Sequence, residues 1–184
     1  MKNAVLDCIY SRRSVRDYLD KPVPKEIAEE LLNAAVMAPS AMNTQPWHFS
    51  VVEGKENVAR FSGLALGQRG LLGKGFGLGF KLAGKNSIFY DAPLLVVISG
   101  KRDYSYLKDD VNLAVQNMFL AANSLGLGSC WIGFGKPLNE NPEARKELGI
   151  PDNFEIVAPL IFGYPKKGKK DTPKRTPKVL AWIK

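Results

Sequence analysis

Three arginines and two serines fall within six residues of one another, in Ser11-Arg12-Arg13-Ser14-Val15-Arg16. A guanidinium presents a rigid fork of N–H donors that matches phosphate oxygens, and a serine hydroxyl adds one more donor. Residue type and spacing therefore suit the capture of a phosphate. The plainer alternative is a solvated basic turn, since charge runs usually face water. A second polar stretch follows in Ala38-Pro39-Ser40-Ala41-Met42-Asn43-Thr44-Gln45-Pro46-Trp47-His48-Phe49. Two more segments stand out: Gly126-Leu127-Gly128-Ser129-Cys130-Trp131-Ile132-Gly133, and Pro173-Lys174-Arg175. The single histidine, His48, opens a strand pattern and reads as structural, and Trp47 reads as core. Cys8 and Cys130 belong to no Cys/His ligand pattern, so no metal site is expected.

These segments must be held by regular elements. Asn3 can cap a helix over residues 4–10, with Val5, Leu6 and Ile9 on one face, and this helix delivers the arginine run. A second helix is expected over residues 25–37, closed by Pro39. Residues 48–52 alternate as a strand, and residues 56–61 suit a short helix. Asp91-Ala92-Pro93 precedes the apolar run 94–98, a buried strand. Residues 109–125 form the clearest helix, with Val111, Ala114, Val115, Met118, Ala121, Ala122 and Leu125 in one stripe. Leu113, Phe119 and Leu120 fill its other faces, which predicts burial nearly all round. Strands are expected over 129–134 and over 154–162, the latter interrupted by Pro159. A short helix begins at Asn141-Pro142 and ends at Leu148-Gly149. Strands interleaved with helices give an α+β chain with the sheet in the middle.

The chain has 184 residues, 45% hydrophobic and 24% charged, which suits one domain over residues 1–184. No apolar run is long enough to span a membrane, and the first residues lack a secretory signal's apolar core. With two isolated thiols, a reducing, cytoplasmic setting is expected. The net charge of +8 is carried almost wholly by residues 165–184, where seven Lys and one Arg face one Asp. That arm lacks interleaved aromatics, so nucleic acid is not an expected partner. Eight glycines crowd residues 63–84. Gly75-Phe76-Gly77-Leu78-Gly79-Phe80 fails the dinucleotide fingerprint, because Phe80 stands at the third glycine position and no strand precedes it. A mobile lid is the expected role of that segment.

In order and in register, the four motifs resemble the nitroreductase family of FMN-dependent oxidoreductases over nearly the whole chain. The resemblance implies a central, mainly antiparallel sheet flanked by helices, in an intertwined homodimer with FMN at the interface. It implies that Arg12, Arg13, Ser14 and Arg16 line the FMN phosphate and the pyrimidine edge of the ring from one subunit. Arg12 would take the phosphate and Arg16 the N1–C2=O edge, with Lys174 or Arg175 completing the phosphate site. Pro39, Ser40, Ala41 and Asn43, with Gln45, would come from the other subunit. Asn86 would meet the ring, and Trp131, Ile132 and Gly133 would pack near it, a backbone N–H serving N5. No catalytic side chain is required, because the cofactor carries the chemistry. NADH or NADPH would be the donor, and a nitroaromatic, quinone or flavin the small-molecule acceptor, in a ping-pong cycle. The lid over 63–84 would select substrates, and the arm over 165–184 would reach the partner's sheet. Alternatives on the same fold are dehalogenation, enoate reduction, flavin fragmentation and non-enzymatic flavin binding.

Overall fold

The run after Asp91-Ala92-Pro93 becomes the strand β2 (Leu94–Lys101), buried at every position but the last. A strand apolar on both faces needs cover on both, and that requirement builds the fold. The structure is a computed structural model and describes residues 3–67, 78–79, 87–168 and 174–184. β2 lies between β1 (His48–Glu53) and β4 (Phe154–Gly163), and β4 in turn pairs with β3 (Gly128–Trp131). All three pairings are antiparallel.

Alternation along the strands divides the core. Leu94, Val96, Ile98, Ala158, Leu160 and Phe162 face one layer, which holds α2 (Lys25–Val36) and the long α4 (Leu107–Ser124). Leu95, Val97, Cys130 and Ile161 face the opposite layer. There they meet α3 (Lys55–Gly67), a 3-10 segment over Gly133–Glu140, and α5 (Pro142–Glu147). α1 (Ala4–Ser11) lies against the C-terminal half of α4, and none of its own residues is buried.

Several expectations are corrected. β4 is not interrupted at Pro159: the residue pairs with Val97, and its carbonyl accepts the Ile132 N–H at 2.9 Å. A proline removes one donor and leaves its acceptor. The irregularity falls nearby, where the register shifts between Ile98 and Ser99 and leaves Val157 unpaired. The strand expected over 129–134 ends at Trp131, because the chain turns into the 3-10 segment at Gly133. α3 continues to Gly67, past the expected end, since Val58, Phe61 and Ala65 keep a buried stripe going. α4 is not covered all round: Leu113 is 47% exposed. Most of the Gly-rich segment 63–84, and Asn86, lie outside the described residues. At the far end, Leu180, Trp182 and Ile183 are solvent-exposed.

Candidate functional site

Asn3 starts α1 by accepting the Val5 and Leu6 N–H groups on its Oδ1, at 3.0 and 3.1 Å. The helix stops at Arg12, whose N–H donates to the Cys8 carbonyl and whose backbone is extended. Asn123 on α4 pins this end, donating to the Cys8 carbonyl at 3.0 Å and to Ser11 Oγ at 2.9 Å. The chain then runs beside β3. Ser14 bridges Ser129, and the Val15 N–H donates to the Ser129 carbonyl at 3.0 Å. Gly128 permits the approach, since a Cβ there would lie 2.6 Å from Val15 Cβ.

Extended backbone sends alternate side chains to one side, so Arg12, Ser14 and Arg16 share a face. Their common neighbour is Cys130. Burial pushes its thiol pKa up, while Arg16, a hydrogen bond with Ser14, and Arg12 pull it down. Arg13 behaves differently: its Nη1 donates to the carbonyls of Tyr10 and Arg12, at 2.8 and 2.5 Å, as a cation closing a helix C-terminus. Its Nε is buried without a hydrogen-bond partner.

Arg12 stands over the Phe119 ring, 5.8 Å from its centroid. Its pKa is lowered, first by burial, then by the like charges of Arg175 and Arg13. The C-terminal arm thus brings Arg175 within electrostatic reach of Arg12, with both Lys174 and Arg175 solvent-exposed. Folding has concentrated positive charge here against Coulomb repulsion, and an anion is the chemical complement. Beside the cluster opens a cavity of about 300 Å³, lined by Arg16, Tyr90, Trp131, Ile132, Gly133 and Phe134. Tyr90 and Asp91 hold left-handed backbone, φ 57° and 55°, and Arg16 lies over the Tyr90 ring at 5.9 Å.

The second expected cluster, Pro39 to Gln45, is built by other means. A 3-10 turn over Ala41–Asn43 is followed by Pro46 and the buried Trp47. Met42, Asn43 and Gln45 have φ of 53°, 54° and 48°. Asparagine tolerates this region, whereas Met and Gln there each cost on the order of 1 kcal/mol. The Gln45 N–H donates to Ser40 Oγ at 2.9 Å, so the Ser40 hydroxyl keeps its own proton for a further acceptor. The Ala41 N–H reaches the carboxylate of Asp110, at 3.1 and 3.3 Å from its two oxygens. Tyr104 donates its hydroxyl to Asp110 at 2.9 Å and lies 2.7 Å from Thr44 Oγ1. His48 is exposed and Nδ1 lies 3.2 Å from the Pro46 carbonyl.

Within one chain the two clusters pack against different parts of α4. Arg12 stands at Phe119 and Ala41 at Asp110, nine residues apart on α4, or roughly 13 Å along the helix axis. Sequence reasoning missed Asn123, Tyr90, Tyr104 and Asp110. For Asp110 a signal was present: it falls four residues before Ala114, on the apolar stripe, where a carboxylate needs buried partners.

An antiparallel sheet covered on both faces, with a cation cluster and a cavity at the end of β3, defines an α+β protein built to hold an anionic ligand. The Nitroreductase family model matches residues 9–164, and the chain belongs to that family. It is 36% identical to a protein of Archaeoglobus fulgidus provisionally named as an NADH dehydrogenase/NAD(P)H nitroreductase, over 89% of this chain and 87% of the other. The nitrobenzene nitroreductase of Ectopseudomonas oleovorans is 27% identical over 86% and 85% of the two chains. Among solved structures, an FMN-bound nitroreductase of Bacteroides fragilis superposes with a TM-score of 0.80, at 31% identity and 99% coverage of both chains.

Proposed function

We propose that this chain is an FMN-dependent NAD(P)H oxidoreductase whose cofactor lies at a homodimer interface. The observation that carries the reading is the convergence of Arg12, Ser14 and Arg16 on Cys130, with Arg13 and Arg175 close enough to repel Arg12, a concentration of positive charge that a phosphate dianion would offset. FMN would bring hydride acceptance from NADH or NADPH and, in a second half-reaction of a ping-pong cycle, delivery to a nitroaromatic, quinone or flavin acceptor.

The protein's share is binding, orientation and electrostatics. Arg12 and Arg175 hold the phosphate, with Ser14 donating a further hydrogen bond. Arg16, over the cavity, places positive charge at the pyrimidine edge of the ring, where it favours reduction. Trp131, Ile132 and Gly133 form the cavity wall beside it. The Ile132 N–H is committed to the Pro159 carbonyl. The first N–H of a helical segment has no partner within that segment, so Gly133 supplies the donor to N5.

Pro39, Ser40, Ala41, Asn43 and Gln45 then reach the cofactor from the partner subunit. The separation along α4 supports this arrangement, and so does exposed apolar surface. Val5 is 65% exposed, Tyr10 63%, Met37 79% and Leu113 47%. The arm over 165–184 carries Leu180, Trp182 and Ile183 into the open, where a second copy would cover them. The Gly-rich segment serves as the substrate lid in this reading.

The test is an anaerobic absorbance titration of the FMN-loaded protein with NADH and then NADPH. The oxidised-flavin band is expected to bleach with at least one nucleotide and return on adding a nitroaromatic or quinone. Bound FMN that neither nucleotide reduces would contradict the oxidoreductase reading.

A further inference from the structure

The turn that presents Ser40, Asn43 and Gln45 is held in an unfavourable backbone shape by a residue far away in sequence. Asp110 is 4% exposed and lies in the first turn of α4, where the helix dipole favours its negative charge. An ionised carboxylate only accepts hydrogen bonds, so it sets the direction of everything joined to it. The Ala41 N–H donates to it, and so does the Tyr104 hydroxyl. The Tyr104 hydroxyl also lies 2.7 Å from Thr44 Oγ1, which in turn stands 3.0 Å from the Ala41 carbonyl. Asp110, directly at Ala41 and through Tyr104 at Thr44, thus ties both sides of the turn to one buried carboxylate. Between the tie points lie Met42 and Asn43, both in left-handed backbone, and Gln45 follows directly after Thr44 in the same conformation. All three side chains are exposed, Met42 at 84%. The strain gains nothing in the packing of this chain, and strained turns that present polar side chains outward are drawn from binding sites.

We infer that Asp110 and Tyr104 are positioning residues that lock the Ser40–Gln45 turn in the shape that meets the flavin. This rests on the flavin reading above. Neither residue needs to touch the cofactor. Asp110 fixes where the Ala41 amide points, and Tyr104 fixes Thr44. Unlocked, the turn relaxes toward unstrained backbone, and the population able to bind falls.

The experiment uses the full chain with FMN, comparing Tyr104→Phe and Asp110→Asn with Arg12→Ala. Readouts are the FMN Kd by flavin fluorescence, the visible circular dichroism of the bound flavin, and the thermal melt of the apoprotein. If the competent turn falls to about a tenth of the population, the apparent Kd rises about tenfold in both turn variants. The flavin dichroism is expected to change in shape at saturation, which a loss of stability alone would not produce. Tyr104→Phe keeps the ring in a half-buried site and decides the matter if Asp110→Asn fails to fold. Wild-type Kd and dichroism in Tyr104→Phe, with FMN lost in Arg12→Ala, would overturn this inference and leave the flavin reading standing. Retention of FMN by Arg12→Ala as well would overturn both.

Discussion

The arginine cluster and the Ser40–Gln45 turn are two halves of one proposed site, and they are held by opposite means. The cluster rests mainly on backbone: the end of α1, pinned by the Asn123 side chain, a bridge to β3, and a glycine that lets Val15 close in. Arg13 and Arg175 repel Arg12, and burial adds to the cost of its charge. The turn rests on side chains: a buried carboxylate and a tyrosine hold left-handed backbone that is strained at Met42 and Gln45. Rigid backbone suits the half that must resist Coulomb repulsion before its ligand arrives. A side-chain latch suits a half that must hold a high-energy shape at the surface.

The contrast can be broken most sharply at the charges. Arg12→Ala removes a charge-assisted contact to the phosphate and is expected to weaken FMN binding about a hundredfold, measured by fluorescence titration. A wild-type Kd would mean that Arg12 does not hold the phosphate. Gly128→Ala attacks the backbone support. Its new Cβ would lie 2.6 Å from Val15 Cβ, which is bonded directly to the backbone, so the arginine run must shift. A cost of about 1–3 kcal/mol in stability is expected by thermal or denaturant melts, with weakened FMN retention. An unchanged melt would show that the close approach is not needed.

The smallest effect lies away from both halves, where Arg60 pairs with Glu147 at the surface. The hydrogen bond from Arg60 holds the Glu147 carboxyl below its ordinary pKa. A carboxyl with a lowered folded-state pKa adds stability above the ordinary glutamate range and loses it as pH falls through the lowered value. Arg60→Ala is therefore expected to flatten the acid limb of a melting-temperature profile slightly and to leave FMN binding alone. An altered FMN Kd would connect this pair to the site in a way its position does not suggest.

The two halves also differed in how plainly the sequence declared them. The arginine run announces itself by charge, and the Ser40–Gln45 turn by its prolines and amides within a recognisable family pattern. β2 was legible because a strand buried on both faces has no polar alternation to obscure it. What held each half in place was hidden. Gly128 stood in a recognised motif, but its structural need was hidden because it depends on Val15, more than a hundred positions away. Tyr104 sat in a connection without periodicity. Asp110 lay on an apolar helix stripe and drew no separate reading, although its depth in the stripe required partners. Pro159 misled for a related reason: propensity counts the missing donor, whereas the sheet used its carbonyl and absorbed the irregularity one step further on.

The central claim is that each site takes its arginines from one subunit and its Ser40–Gln45 turn from the other. Mixed dimers test it most directly. Arg12→Ala chains and chains carrying a disabled turn, Asn43→Ala with Gln45→Ala, are each refolded alone and then together, and bound FMN is counted per dimer. The account predicts little FMN in either homodimer and one FMN per mixed dimer, because one of the two sites in the mixture is assembled from two intact halves. Mixed dimers that bind no more FMN than the homodimers would place both halves of the site in a single chain and contradict the account.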